Sequence, residues 1–311
     1  MNQRSLCITA TALTGNQLFK RLALLTVGVM AAANVFLMIS EALISSLMTD
    51  AVGLSALGKR SVLMTIQSFL ELAVGIALPF WSYSFYKVAM YAARKAEPNT
   101  NLLLYGFRRF GPLFRLLVLE FLIAMGYVML ACFGASMLYM MTPMAEKAIN
   151  DVTPALLEAE ALMNDPEALN AMMMPVMEDL LKNLWPMYLL IAIALGVLLI
   201  PWLYKLRLAP FHILDGENSA LRAMAQSQYE MHGNRFEMFK LDLCWWWYYG
   251  LLALASVPMY IYIYHGGGDV MYWVLTLTSY GLQVLVQWQL MPRVQTSYAL
   301  AYDQLKKEPQ Q

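Results

Sequence analysis

The stretch MHGNRFEMFKLDLCWWW, residues 231–247, passes from a polar turn into an apolar segment long enough to cross a membrane. A Gly-Asn turn comes first, Arg235 and Lys240 follow beside two phenylalanines, and three tryptophans end the stretch. Weaker copies of this step begin at Gly15 and Gly106. Cations and aromatic rings are typical of the boundary between bilayer and water. The recurrence predicts that the chain enters a membrane several times from the same side.

The composition agrees with a membrane protein. Of the 311 residues, 60% are hydrophobic and 14% are charged, whereas soluble domains are about 45–50% apolar and about 25% charged. The formal net charge is zero, so no nucleic-acid partner is indicated. Six apolar blocks are long enough to span a bilayer, and each is predicted to be a helix because an open strand leaves its backbone unpaired in lipid. The predicted spans are 22–48, 62–81, 116–140, 187–203, 244–263 and 270–291.

The distribution of cations predicts the orientation. All but four of the 21 Lys and Arg residues fall in segments on one side of the predicted spans. The exceptions are Lys59, Arg60, Lys147 and Lys182. Because Lys and Arg are retained on the cytoplasmic side, we expect both termini in the cytoplasm. Residues 210–240 are then a cytoplasmic amphipathic segment.

Residues 142–185 form the longest connection on the other side, and the connection is acidic. The pairs Thr153-Pro154 and Asp165-Pro166 resemble helix starts, with a capping residue followed by proline at the first helical position. We therefore predict an acidic external insertion of two short amphipathic helices that lie near the outer membrane surface.

The spans also carry signs of an internal repeat. Pro79, Pro201 and Pro292 each stand near the predicted cytoplasmic end of an even-numbered span. The predicted fold of residues 1–311 is thus a single all-α polytopic membrane domain. Its six transmembrane helices form three helix hairpins, each preceded by an amphipathic cytoplasmic segment. The alternative is that every inner boundary selects aromatic and basic residues independently.

The third copy of the step resembles a known family. The segment AMAQSQYEMHGNRFEMFKLDL, residues 223–243, followed by Trp245–Trp247, is similar to the signature of bacterial integral membrane proteins catalogued as domain of unknown function number nine hundred and seventy-five. The resemblance covers about residues 220–303. It implies a six-helix, multi-pass protein of the bacterial plasma membrane, and it implies no activity.

Glu71 is the main intramembrane candidate. It lies nine residues into the second predicted span, about 13 Å from the start of the helix. An ionisable residue at that depth is a functional hypothesis by default. Gln283 in the sixth span has a comparable depth and is a predicted hydrogen-bond partner. The pair is either a polar site for proton or cation handling, or a neutral Glu that joins two helices.

Arg235, Lys240 and Asp242 form the second candidate site, at the entry to the fifth span. The first interpretation is structural: the ion pairs fix how the cytoplasmic segment enters the membrane, with Asp242 paired to Arg235 or to a cation from another repeat. The second is that the cations bind an anionic lipid headgroup, because basic pockets at the cytoplasmic face are the expected sites.

No catalytic constellation, metal site or cofactor site is predicted. Cys7, Cys132 and Cys244 have no metal-ligand or disulfide spacing. The leading functional hypothesis is a non-catalytic scaffold or accessory subunit that organises membrane lipids or a partner, either another protein or a second copy of the chain. The alternative is a transporter of a small amphiphile or cation that uses Glu71. A membrane-embedded enzyme ranks third.

Overall fold

The computed structural model of the chain describes residues 3–49, 54–161, 166–265 and 269–307, and all regular secondary structure in these ranges is helical. A 3₁₀ helix, Thr100–Leu104, lies between the third and fourth α-helices. The α-helices are α1 (Gln3–Leu13), α2 (Gln17–Thr49), α3 (Leu54–Ala93), α4 (Tyr105–Arg108), α5 (Phe110–Met140), α6 (Pro143–Ala161), α7 (Pro166–Leu206), α8 (Ala209–Leu214), α9 (Ala220–Glu230), α10 (Arg235–Cys244), α11 (Trp246–Ala255), α12 (Val257–His265) and α13 (Asp269–Lys307).

Four of these helical regions are long and apolar enough to cross a membrane, within the described part of the chain. They cover the first four predicted spans, so those predictions are confirmed as apolar helices of sufficient length. The four regions are Gln17–Leu47, Ser61–Ala93, Phe110–Met140 and Lys182–Leu214.

The fifth predicted span, 244–263, is divided into short helices. Single residues, Trp245 and Ser256, separate α10, α11 and α12. The division at Ser256 has a clear cause, because Pro258 lacks the N–H that would bond to the carbonyl of Leu254. Proline is tolerated in the first turn of a helix, and α12 begins one residue before Pro258.

The sixth predicted span, 270–291, lies within the 39-residue helix α13. This helix is not among the four apolar regions. Its sequence carries threonine, serine and glutamine at intervals, including Thr276, Ser279 and Gln283, which lower its mean hydropathy. The helix is present as predicted, and its polar residues set it apart from the other spans.

The acidic insertion differs from the prediction. Helix α6 begins at Pro143 and runs through Thr153, whose hydroxyl donates to the carbonyl of Ile149 (2.7 Å) instead of capping a new helix. Helix α7 begins at Pro166, as predicted, but it continues to Leu206 as one helix. Pro175 and Pro186 lie within this helix, although proline in a helix interior removes a backbone hydrogen bond.

The chain divides into two compact units, Met1–Leu116 with Leu206–Gln311, and Leu117–Lys205. We call them unit 1 and unit 2. In unit 2, α5 and α7 lie antiparallel. The rings of Tyr127 and Trp202 are 5.8 Å apart at one end, and the Tyr139 hydroxyl donates to the Asn183 carbonyl (3.0 Å) at the other.

Unit 1 contains two antiparallel arrangements. The Trp81 indole of α3 donates to the Thr26 carbonyl of α2 at 3.2 Å. Along α13, the Ser279 hydroxyl donates to the Ala255 carbonyl at 2.8 Å, and the Trp245 indole donates to the Ser297 hydroxyl at 3.1 Å. The Ser40 hydroxyl lies 3.3 Å from the side-chain oxygen of Gln67, so contacts between α2 and α3 also run in opposite sequence directions.

The buried core of unit 1 lies where α2 begins and α3 ends. It joins these two helix ends to α13 and to the 3₁₀ helix, while much of the apolar surface elsewhere on α2 and α3 is exposed. Burial of this kind is the main stabilising contribution to packing. The cluster consists of Phe19, Leu22, Ala23, Val27, Phe85, Val88, Ala92, Leu103 and Met291.

Gly106 lies where the backbone of α4 comes very close to α3. Its N–H donates to the hydroxyl of Ser84 at 2.8 Å. A Cβ atom at this position would lie 2.2 Å from the carbonyl oxygen of Phe80 and 2.7 Å from Ser84 Oγ. Only glycine fits this approach, because a backbone carbonyl cannot rotate away as a side chain can.

Replacing Gly106 tests this packing. Gly106→Ala is expected to destabilise the protein by about 1–3 kcal/mol, the usual cost of overpacking. The measurement is thermal unfolding of the detergent-solubilised chain. Gly111→Ala is the matched control, because its Cβ would meet open space, and we expect it to be neutral or stabilising by up to about 1 kcal/mol. Equal midpoints for the two variants would contradict the close approach.

Candidate functional site

The end of α3 presents Arg94 in a fixed direction. The N–H of Lys95 bonds to the Ala92 carbonyl (3.0 Å), and the N–H of Ala96 bonds to the Tyr91 carbonyl (2.9 Å). Lys95 has φ of 57°. This is a Schellman motif with the left-handed position occupied by a residue other than glycine, which costs about 1–2 kcal/mol. The motif stops the helix directly after Arg94.

Helix α8 ends in the same motif. Gly216 takes the left-handed position with φ of 128°. Its N–H bonds to the Ile213 carbonyl (3.2 Å), and the Glu217 N–H bonds to the His212 carbonyl (3.0 Å). Asp215 stands before the left-handed residue, as Arg94 does at the end of α3. Two equivalent helix ends therefore present side chains of opposite charge.

Arg94 joins three helix ends through ion pairs. Its guanidinium contacts Asp215 and Asp303, with each closest N–O distance 2.7 Å. Nε adds a second bond to Asp303 at 3.1 Å, so this contact is bidentate. Lys306 contacts the other oxygen of Asp215 at 2.7 Å. We call these four residues the inner clamp, and they connect α3, α8 and α13.

The inner clamp fixes the charge states of its members. Partial burial of Asp215 acts to raise its pKa, but hydrogen bonds and charges from Arg94 and Lys306 outweigh burial and hold it well below the usual range. The hydrogen bonds that Arg94 donates to Asp303 and Asp215 raise its pKa. Both carboxylates are thus paired with cations, so the clamp joins the helix ends through ion pairs.

A buried aromatic layer lies beside the clamp. The Tyr302 hydroxyl is 3.3 Å from Asp215 and 3.3 Å from His212 Nδ1, while His212 Nε2 is 3.0 Å from Glu230. The ring of Phe211 stacks on Tyr302 at 5.6 Å. Burial raises the pKa of Tyr302, so its hydroxyl remains a donor. The layer excludes water from one side of the clamp.

Lys87 of α3 contacts the end of α8. Its ammonium donates to the carbonyl of Leu214, the last residue of α8, at 2.6 Å. Cations at a helix C-terminus satisfy carbonyls that have no partner within the helix and interact favourably with its dipole. The ammonium also lies 5.0 Å from the ring centroid of Tyr105. Lys87 is therefore another tie between α3 and α8.

The predicted site of Arg235, Lys240 and Asp242 is not gathered around one position. Lys240 pairs with Glu237 at 2.8 Å. Asp242 pairs at 2.9 Å with Arg207, a cation from the connection between the fourth and fifth predicted spans. The contact with Glu237 neutralises Lys240, one of the two cations that the headgroup interpretation requires. These contacts agree with the structural interpretation.

The predicted site also includes Arg235, and Tyr298 contacts its Asp242. Arg235 Nε is buried, and it has no hydrogen-bond partner among the residues that the structure describes. The Tyr298 hydroxyl donates to Asp242, and its ring lies 4.3 Å from the guanidinium carbon of Arg207. Burial raises the pKa of Tyr298, so it remains a donor to Asp242. The Arg207–Asp242 pair therefore rests on an aromatic ring of α13.

Glu71 and Gln283 have different partners. Gln283 donates to the hydroxyls of Ser256 (3.2 Å) and Ser279 (3.4 Å). The Glu71 side chain is exposed, and its carboxyl accepts from Gln67 at 2.8 Å. Glu71 therefore belongs to the exposed surface of α3, and Gln283 to the contact of α13 with α11 and α12.

Ser40 extends the polar group at Glu71. Its hydroxyl lies 3.3 Å from the side-chain oxygen of Gln67. We call Ser40, Gln67 and Glu71 the intramembrane triad. Its residues come from α2 and α3, both of which are long enough to span a bilayer. The second carboxyl oxygen of Glu71 has no partner in the described part of the chain.

The acid response of Asp215 tests the inner clamp. Its pKa is lowered by folding, so its contribution is complete above the unfolded value of about 3.9 and is lost as pH falls below it. Asp215→Asn is expected to lose about 1–3 kcal/mol at pH 7. The measurement is the thermal midpoint from pH 7 to pH 3, which should fall more steeply in the unaltered protein than in the variant.

Glu97→Gln is the control for this experiment. Glu97 is an exposed carboxylate three residues from Arg94, and its replacement should leave both the midpoint at pH 7 and the acid slope unchanged. Parallel pH profiles for Asp215→Asn and the unaltered protein would rule out a stabilising clamp.

The comparisons with known proteins do not assign the chain to a family. No protein-family model matches the chain, and no curated protein or solved structure shows significant similarity to it. The assignment of function therefore depends on the contacts described above.

Proposed function

We propose that the chain is a non-catalytic subunit of a membrane-protein assembly. It binds a second membrane-embedded protein through the intramembrane triad. The fold that we propose has six spans in three hairpins, with both termini in the cytoplasm. The membrane is that of a bacterial cell, in agreement with the family resemblance of residues 220–303. The proposal has three supports: the antiparallel helix pairs, the position of the charged helix ends, and the exposure of the triad.

The antiparallel contacts support three hairpins. Helices α2 and α3, α5 and α7, and α11–α12 with α13 each lie antiparallel. The equivalent motifs at Lys95 and Gly216 support a repeated unit, because each follows an even-numbered span and precedes a capped helix. Asn99 caps the 3₁₀ helix and Ser219 caps α9. In this arrangement α11 and α12 together provide the fifth span.

The clamp supports a common cytoplasmic side. Arg94, Asp215 and Lys306 come from segments that the cation distribution assigns to the same side. The core joins the start of α2 to the end of α3, as expected if α2 leaves and α3 returns to that side. Because Lys and Arg favour the cytoplasmic face, we assign the clamp to the cytoplasm.

The intramembrane triad is the observation that carries the assembly function. Glu71 lies ten residues into the apolar region Ser61–Ala93, about 15 Å along the helix. Its neighbours Phe69 and Leu72 are 66% and 57% exposed, as expected for a surface that faces lipid. Lipid tails offer no hydrogen-bond partner, so a carboxyl group on this surface is costly.

A partner protein removes this cost. A polar side chain on a neighbouring helix can bond to the unpaired oxygen of Glu71, and such bonds contribute about 0.6–2 kcal/mol in membranes. Transport through Glu71 depends on a polar cavity shared with Gln283. Because these two side chains have separate partners, the assembly function has the stronger support.

Replacing Glu71 tests the assembly function. We expect the protein extracted from its own membrane in mild detergent to run as a complex larger than a monomer. Glu71→Leu should weaken the complex about 3- to 30-fold, the equivalent of the lost bond. Glu71→Gln should retain it, because an amide can still accept and donate. The measurement is the concentration dependence of the complex in size-exclusion chromatography with light scattering.

Thr65→Leu is the matched control, because Thr65 is also exposed on α3 but its hydroxyl bonds within the helix, to the Ser61 carbonyl at 2.8 Å. It should leave the complex intact. A monomeric unaltered protein, or an undiminished complex in Glu71→Leu, would count against the proposal.

A further inference from the structure

A small, partly open cavity lies between the end of α1, the start of α2 and the part of α13 around Pro292. Its volume is about 60 Å³, which is room for about two water molecules. Lys20 and Arg293 line it from α2 and α13, and Gln289 contributes an amide. No carboxylate is among the lining residues.

The two cations have no acidic partner. Neither Lys20 nor Arg293 forms an ion pair in the described part of the chain. This differs from Lys240 and Arg207, which are both paired with carboxylates. Two like charges that line one small cavity repel each other, and an anion between them removes that repulsion.

The walls of the cavity are held by hydrogen bonds. The Trp288 indole donates to the Lys20 carbonyl at 3.4 Å and so ties α13 to α2. The hydroxyls of Thr11 and Thr14, which also line the cavity, donate to the carbonyls of Cys7 (2.8 Å) and Thr11 (3.2 Å). Their hydrogens are therefore occupied, and the donors left for a ligand are Lys20, Arg293 and the Gln289 amide.

We propose that this cavity binds a phosphate group. A guanidinium and an ammonium together match a phosphate in charge and in donor geometry. The volume of about 60 Å³ suits a small oxyanion. The site is separate from the intramembrane triad and does not depend on the assembly function.

The phosphate group has two sources, a phospholipid headgroup and free phosphate. Lys20 stands two residues before Leu22, where the first predicted span begins. This is the depth at which headgroups meet cytoplasmic cations. Both sources present the same oxyanion, and the experiment separates them.

The first arm titrates inorganic phosphate into the full-length chain in detergent, with sodium chloride of equal ionic strength as reference, and follows binding by calorimetry. The second arm adds dioleoyl phosphatidylglycerol to the delipidated protein and measures retained lipid by native mass spectrometry. Saturable binding of either probe supports the site. Phosphate binding identifies free phosphate as a ligand, and lipid binding alone identifies the headgroup.

Single substitutions locate the binding. Lys20→Gln and Arg293→Gln are each expected to weaken it about tenfold, because each removes a charge-assisted hydrogen bond. Arg293→Lys should restore most of the affinity by returning the charge. Arg21→Gln is the matched control, since Arg21 is exposed beside Lys20 and does not line the cavity.

Two results would overturn the site. One is the absence of saturable binding of both probes to the unaltered protein. The other is an equal loss for Arg21→Gln and Lys20→Gln, which would show attraction to general surface charge. The thermal midpoints without ligand should be unchanged or raised in Lys20→Gln and Arg293→Gln, because the repulsion between two cations is relieved. Any loss of binding is then local.

Discussion

One guanidinium group holds three helix ends together. Arg94 lies between the carboxylates of Asp215 and Asp303, which come from α8 and α13. Without this cation, the two carboxylates would repel each other, and Asp303 would lose its bidentate partner while Asp215 kept only Lys306. The buried ring of Tyr302 packs directly beside them. The aromatic layer and the clamp therefore share the hydroxyl of Tyr302 as a point of contact.

The clamp lies at the end of α3 that is well packed, and the exposed apolar surface lies elsewhere on α3. Its tightly packed residues gather at the charged end, while Phe69 and Leu72 on α3 remain exposed. Because ion pairs join the helices of unit 1 at its charged end, the apolar parts of α2 and α3 can contact neighbouring proteins without a rearrangement within the unit. The intramembrane triad around Glu71 lies on this presented surface. We therefore regard assembly within the membrane as the role that suits this division best.

The sequence predicts the apolar helices well, because a run of about 20 apolar residues has few alternatives in lipid. It predicts that the cations share one side but does not predict their partners, since Arg94 and Asp303 are 209 positions apart and no periodicity relates them. A signal for α8 was present in Gly216, a typical residue of a helix end. Pro258 is the sequence signal for the break at Ser256, because proline lacks the backbone N–H that a continuous helix needs. The pairing of Asp242 with Arg207 depends on packing alone.

A double-mutant cycle between Arg94 and Asp303 tests the central claim most directly. The free energy of unfolding is measured for the unaltered protein, Arg94→Gln, Asp303→Asn and the double variant in the same detergent at pH 7. The account predicts a coupling energy of about 1–3 kcal/mol, as expected for a bidentate pair in one network. Additive effects, within about 0.5 kcal/mol, would contradict the clamp as the interaction that joins these helix ends.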